Sequence, residues 1–131
     1  MNKVIRPAVK AAIIKNGKIL LLKKPKSIHK GFIANDIPGG KIEFEETDYT
    51  DALKREVKEE IGTDIEVVKP VCMATIVKSD NLHIVGTVFL CKMDGNDINL
   101  SDEHEGFEWT ELGNVLKDNY PEWIKDIVRT L

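Results

Sequence analysis

Along residues 8–24, "AVKAAIIKNGKILLLKK", apolar positions first alternate with polar ones and then run together on either side of Asn16-Gly17. An Asn-Gly pair accepts the positive φ of a two-residue turn, so this stretch predicts an antiparallel hairpin. Residues 65–78, "IEVVKPVCMATIVK", and 82–93, "LHIVGTVFLCKM", are apolar and β-branched and are separated by Ser79-Asp80-Asn81. They predict a second, longer hairpin. Between the hairpins the period changes: Tyr49, Leu53, Val57 and Ile61 recur every four residues, the spacing of a buried helix stripe. Asp48, with Asp51 three residues later, is placed to cap this helix, and Gly62 to end it. Upstream, Pro38-Gly39-Gly40 predicts a tight turn, with "KIEF" reading as strand after it. Residues 25–35 and 95–106 read as loops, the second with room for a short strand. Trp123 or Ile124, Ile127, Val128 and Leu131 mark a closing amphipathic helix. The order predicts an α/β sandwich, a mixed sheet with helices on its faces.

Composition adds limits rather than detail. The chain has 131 residues, 42% hydrophobic and 31% charged, which suits one globular domain over 1–131 with one core. No apolar stretch approaches the roughly 20 residues of a membrane span. The first ten residues, "MNKVIRPAVK", lack the apolar centre of a secretory signal. A cytoplasmic protein without a membrane partner is expected. Cys72 and Cys91 fall in strand-like runs outside any Cys/His metal spacing and read as buried thiols. A net charge of −3 provides no overall basic field for a nucleic-acid polymer. A polyanionic small substrate would need local lysines or a metal.

Local charge is less ordinary. Between Pro38 and Gly62 lie eight of the chain's 22 carboxylates. With Leu53 at zero and about 100° per residue, Val57, Glu56, Glu59 and Glu60 fall at about +40°, −60°, −120° and −20°. Glu60 therefore points where a core residue belongs. A carboxylate pushed toward a core is costly unless paired or bound to a cation. Glu56, Glu59 and Glu60 span about 100° of arc within one turn, where like charges repel. A hard divalent cation with oxygen ligands offsets that repulsion.

These residues resemble the Nudix box, G-x5-E-x7-R-E-U-x-E-E-x-G-U with U apolar, matched by Gly40, Glu46, Arg55, Glu56, Val57, Glu59, Glu60 and Gly62 within residues 39–63. Eight residues rather than seven separate Glu46 from Arg55, and Thr63 replaces an apolar residue. The extra residue can be absorbed at Thr47-Asp48, ahead of the helix. The resemblance implies a Nudix-type α/β/α sandwich and a metal-dependent pyrophosphohydrolase acting on a nucleoside diphosphate linked to another group. A nucleoside triphosphate, as for the MutT-type members, is the first expectation. Mg²⁺ or Mn²⁺ would neutralise the pyrophosphate and acidify water. By the same resemblance Glu56, Glu59 and Glu60 ligate metal with the Gly39 carbonyl close by, one glutamate of the box or of a later loop acts as base, and Glu46 and Arg55 hold loop to helix.

That later glutamate is sought before Trp109, where Glu103 fits and Asp102, Glu105 and Glu108 compete. His104 reads as a surface histidine. Lys41, beside Gly40, and Lys23-Lys24, at a strand end, are candidate phosphate contacts. Tyr120, Trp123 and Phe32 could stack on a base but read more simply as packing aromatics. The chain could act as a monomer or a homodimer. Two other function classes fit a Nudix-like fold: a nucleotide-binding module without hydrolysis, which normally loses box glutamates, and an isopentenyl-diphosphate isomerase, which needs a cysteine/glutamate pair not found here.

Overall fold

The computed structural model describes residues 2–25 and 31–131. The central part of the loop expected over 25–35 therefore lies outside the described residues. Strand β1 (Val4–Lys15) turns through Asn16-Gly17 into β2 (Lys18–Lys23), with Ile14 opposite Ile19 and Lys15 opposite Lys18. Both turn residues have positive φ, 52° and 75°, as the sequence requires of a primed turn. Strand β3 (Gly39–Lys41) and helix α1 (Tyr49–Ile61) follow, then the hairpin of β4 (Ile65–Ser79) and β5 (Leu82–Met93). Strand β6 (Gly106–Glu111) leads into helices α2 (Leu112–Lys117) and α3 (Glu122–Arg129).

The six strands form one sheet in the order β4-β5-β1-β2-β6, with β3 on β1. Among the described residues only the β1–β5 pairing is parallel, and it runs from Val4–Leu82 to Ile13–Cys91, so the sheet is mixed. Alternation along β1 and β2 gives each face its own core. Val9, Ala11, Ile13, Leu20 and Leu22 meet Leu53, Val57 and Ile61 of α1. On the other face Ala12, Ile19 and Leu21 meet Ile124, Ile127 and Val128 of α3. Burying each such aliphatic side chain is worth about 1.5–3 kcal/mol, which fixes α1 and α3 on opposite sides. This is the α/β/α sandwich with a central mixed sheet.

Several positions depart from expectation. Tyr49 is 64% exposed, and Ala52 takes its place in the buried stripe. Leu131 is exposed beyond the end of α3. Strand β3 begins on the glycines and stops at Lys41, so Glu43 and Phe44 of "KIEF" enter a turn instead. Residues 95–105 contain no strand, whereas 106–111, left without one in the sequence reading, pair fully along β2. Cys91 is buried, and burial pushes its thiol up to about 12, but Cys72 is only half-buried.

One edge of β1 is shared in a way that creates the site. Beside the hairpin turn it pairs with β2, and farther along, from Ala8 to Lys10, with β3. The segment before Gly39 wedges between the diverging strands: the Leu22 N–H donates to the Asp36 carbonyl (2.8 Å) and the Ala11 N–H to the Pro38 carbonyl (2.8 Å). At the start of α1, Asp48 accepts the Asp51 N–H (3.0 Å) with its own backbone extended. Asp48→Ala should therefore lower stability by about 1 kcal/mol in a thermal melt, with Thr47→Ala nearly silent; the reverse ranking would move the cap.

Candidate active site

The glycines set the geometry. Gly39 has φ 143°, and a Cβ there would lie 2.2 Å from the Val9 carbonyl oxygen. At Gly40 a Cβ would lie 2.3 Å from Glu56 Oε2. Only glycine lets the turn lie flat against β1 and lets Glu56 reach the backbone. Glu60 completes the approach by accepting the Gly39 N–H at 2.8 Å. Both carboxylates are buried, Glu60 at 6% exposure. Glu59 faces solvent.

Electrostatics follow from that burial. Desolvation, reinforced by the Asp36 charge, pushes the Glu60 carboxyl up to about 7 despite Lys10 and the Gly39 hydrogen bond. Desolvation also raises Glu56, with the charges of Glu59 and Glu103 adding to it and Arg55 opposing it. Glu103 is itself exposed and electrostatically coupled to Glu56.

Arg55 gathers the rest of the acidic run. Its Nε and Nη2 donate to the two oxygens of Glu46 at 2.8 and 2.7 Å, a bidentate pair. Nη1 reaches Glu56 (3.0 Å) and Glu59 (3.2 Å), and Nη2 the Lys41 carbonyl (3.3 Å). Hydrogen bonds from Arg55 hold Glu46 down at about 2, and those same bonds raise Arg55 above its ordinary value. The pair forms across the eight-residue spacing. Glu45 adopts φ 72° in a turn closed by the Glu46 N–H on the Glu43 carbonyl.

The remaining candidates are dispersed. Lys41 is exposed, and Lys23 lies 3.6 Å from Glu108, whose other oxygen accepts the Tyr120 hydroxyl (2.8 Å). Tyr120 and Trp123 pack in the α3-side core. His104 corrects the surface reading: it is buried, with Nε2 2.9 Å from Asp36 Oδ2. Asp36 also accepts from Lys10 Nζ (2.8 Å) and the Ile37 N–H (2.9 Å), with Lys24 Nζ at 3.7 Å. Burial works against its charge, but Lys10, His104 and Lys24 outweigh it and hold Asp36 far below the carboxylate range. Lys10 is raised despite burial, chiefly by Asp36, and sits 5.8 Å from the Trp123 ring centroid. Neither Lys10 nor Asp36 is among the sequence candidates. The visible signal is the charge of Lys10 inside the apolar run "AVKAAII"; Asp36, beside Asn35 in "ANDIP", does not stand out.

The donor set suits a hard divalent cation: carboxylate oxygens, two of them buried with raised pKa, beside a backbone turn with no side chain. Asp36, Glu60 and His104 also bring one ligand atom each within 4.8 Å of one another. There, however, the Lys10 ammonium already serves Asp36.

The pH sign for Glu60 is set by its raised folded value. Its stabilising contribution is intact below about 4.5, the unfolded value, and lost as pH rises through about 7. Glu46 is opposite, contributing above 4.5 and losing that contribution toward 2. In metal-free protein, Glu60→Gln should therefore gain stability over the parent between pH 5 and pH 8, by on the order of 2 kcal/mol. Denaturant melts at the two pH values measure this, and a pH-independent difference would refute the buried-carboxylate account.

The NUDIX domain family model matches residues 4–131. Among solved structures, the chain is similar to the MutT protein from Methanosarcina mazei Go1, at 26% identity over 98% of this chain and 94% of that one, with a TM-score of 0.81. It is also similar to the MutT NUDIX hydrolase from Burkholderia pseudomallei, at 25% identity over 98% and 99% of the two chains, with a TM-score of 0.79. A C. elegans Ap4A hydrolase shares the fold, at 24% identity over 95% and 93%, with a TM-score of 0.73. No curated protein sequence matches. With the family match spanning β1 to the last residue and the box glutamates drawn onto its glycine turn, the chain belongs to the Nudix hydrolase family.

Proposed function

We propose that this Nudix hydrolase is a cytoplasmic, Mg²⁺- or Mn²⁺-dependent pyrophosphohydrolase that cleaves a nucleoside diphosphate linked to another group, with a nucleoside triphosphate as the preferred class. The observation that carries the reading is the trio Glu56, Glu59 and Glu60 on one face of α1, two of them buried against Gly39 and Gly40. The triphosphate class is drawn from the MutT-type resemblance, with which the likeness to two MutT proteins at 25–26% identity agrees. No helix among the described residues is long and apolar enough to cross a membrane.

In this reading Glu56, Glu59 and Glu60 hold the cation with the Gly39 carbonyl. The bound ion supplies charge neutralisation on the pyrophosphate and acidifies water. The chain's own residues do the rest. Glu103, whose charge adds to the rise of Glu56, is the base that accepts a proton from the attacking water, with Glu56 and Glu59 as the box alternatives. Lys41 and Lys23 offer ammonium groups to the phosphates, and Gly40, half-buried with Glu56 against it, is the stretch of backbone they approach. Arg55, tied to Glu46, orients Glu56 and Glu59 and touches no substrate. Keeping all three box glutamates favours hydrolysis over a binding module.

Phosphate and pyrophosphate release from a nucleotide panel with Mg²⁺ tests the reading. Glu103→Gln should lower turnover on the order of 10²-fold with the fold intact, while Asp102→Asn and Glu105→Gln do much less. Equal, small effects at all three positions would remove Glu103 from the chemistry. Adding Mg²⁺ should raise the melting temperature of the parent, and Glu60→Gln should abolish most of that shift along with most hydrolysis. Near-parental activity and an unchanged shift in Glu60→Gln would exclude it as a ligand.

A further inference from the structure

The loop that carries Glu103 is fastened at three kinds of point. The Asn99 and Ser101 N–H groups donate to the Ile61 and Glu60 carbonyls (2.8 and 2.9 Å), the end of α1 that would otherwise leave carbonyls unpaired. The Glu105 N–H donates to the Lys23 carbonyl (2.8 Å), at the end of β2. Between these pins Ser101–His104 forms a turn, closed by the His104 N–H on the Ser101 carbonyl (3.3 Å), with Asp102 and Glu103 at its tip. The His104 ring goes inward, its side chain only 1% exposed, and ends 2.9 Å from Asp36. Asp36 is itself immobilised by Lys10, by the Ile37 N–H and by the wedge between β1 and β2.

A buried imidazole is an expensive way to fill space. With Nε2 donating to Asp36, Nδ1 is left buried with no hydrogen-bond partner among the described residues. An apolar side chain would fill the same volume without that cost. What imidazole adds is direction: a charge-assisted bond to a fixed anion sets the rotation of the turn, and with it the side of the loop on which Glu103 emerges. If the ring swung out, residue 103 would turn away from Glu56.

We propose that His104 is a positioning residue: its bond to Asp36 locks the Ser101–His104 turn so that Glu103 faces Glu56 across the box helix. Asp36 thereby ties the two halves of the site together, since the same wedge leads directly into the Gly39 turn that receives Glu60. The inference rests on the role given to Glu103 above.

A double-mutant cycle on the full chain separates the two. His104→Ala and His104→Gln are made in the parent and in the Glu103→Gln background; Gln carries an N–H donor near the position of Nε2, whereas Ala carries none. Turnover is read with the four common ribonucleoside triphosphates and Mg²⁺, and the Mn²⁺-induced melting shift is read without nucleotide. In the parent, His104→Ala should lower kcat on the order of 10-fold with KM little changed, and His104→Gln should restore most of it. In the Glu103→Gln background, His104→Ala should cost less than about twofold, because the residue it positions has already lost its carboxylate. The Mn²⁺ shift should keep its parental size in His104→Ala in both backgrounds, because Glu56, Glu59 and Glu60 carry it, and a lost shift would mark damage to the box rather than to the position of Glu103.

Equal losses in the two backgrounds, or a His104→Gln variant as impaired as His104→Ala, would make the histidine a packing residue and overturn the proposal. Should His104→Ala fail to fold, His104→Gln alone decides: activity within about threefold of the parent supports positioning, and a fall as deep as that of Glu103→Gln refutes it. A silent Glu103→Gln in the parent would instead overturn the reading of Glu103, and the inference would fall with it.

Discussion

A carboxylate at the rim of an apolar core, facing a backbone that has no side chains to push it away, is the constraint around which this molecule is arranged. Glu60 enters the buried side of α1 because Gly39 presents its N–H there, and Glu56 fits beside it because Gly40 has no Cβ. Glu56 is only partly offset by its ion pair with Arg55, and Glu60 has no salt-bridge partner among the described residues. The folded chain thus keeps carboxylates whose charge is held back by burial, and that unmet demand for a cation is the physical basis of the site.

The remainder of the fold serves that approach. The glycine turn can lie on β1 only because β2 diverges from β1 after its first two residues, and residues 35–38 fill the opening. Asp36 lies in that opening, and the local charges settle around it: Lys10 from β1, Lys24 beyond β2, His104 from the loop before β6. A charged core of this kind is stable only when every member is paired, and breaking one pair strands the others. The same loop caps the end of α1, so helix, wedge and loop share one set of hydrogen bonds.

Local rules explain what was legible in the sequence. Asn16-Gly17, Asp48 with Asp51, Gly62 and the inward direction of Glu60 each depend on neighbours within a few residues, and each appears in the structure as expected. What was not legible depends on distant partners. Tyr49 matches the helical period but is exposed, and nothing within its own segment reveals where the packed part of the helix begins. His104 lies in a polar run and is buried by Asp36, 68 residues away. Strand β6 is too mixed in character to stand out, and it exists because β2 offers it a free edge. Lys10 breaks the alternation of an otherwise apolar strand, a visible irregularity whose partner could not be named without the wedge.

If cation demand is the organising feature, metal binding must displace protons from acids that burial has kept partly protonated. Calorimetric titration of Mg²⁺ into the metal-free protein, in two buffers of different ionisation enthalpy, counts those protons. The account predicts that binding near pH 6.5 releases a substantial fraction of one proton, and that the release fades by about pH 8.5 as Glu60, titrating at about 7, ionises unaided. Binding that releases no proton at either pH, or no binding at all, would contradict the claim that the box acids are held short of their charge until a cation arrives.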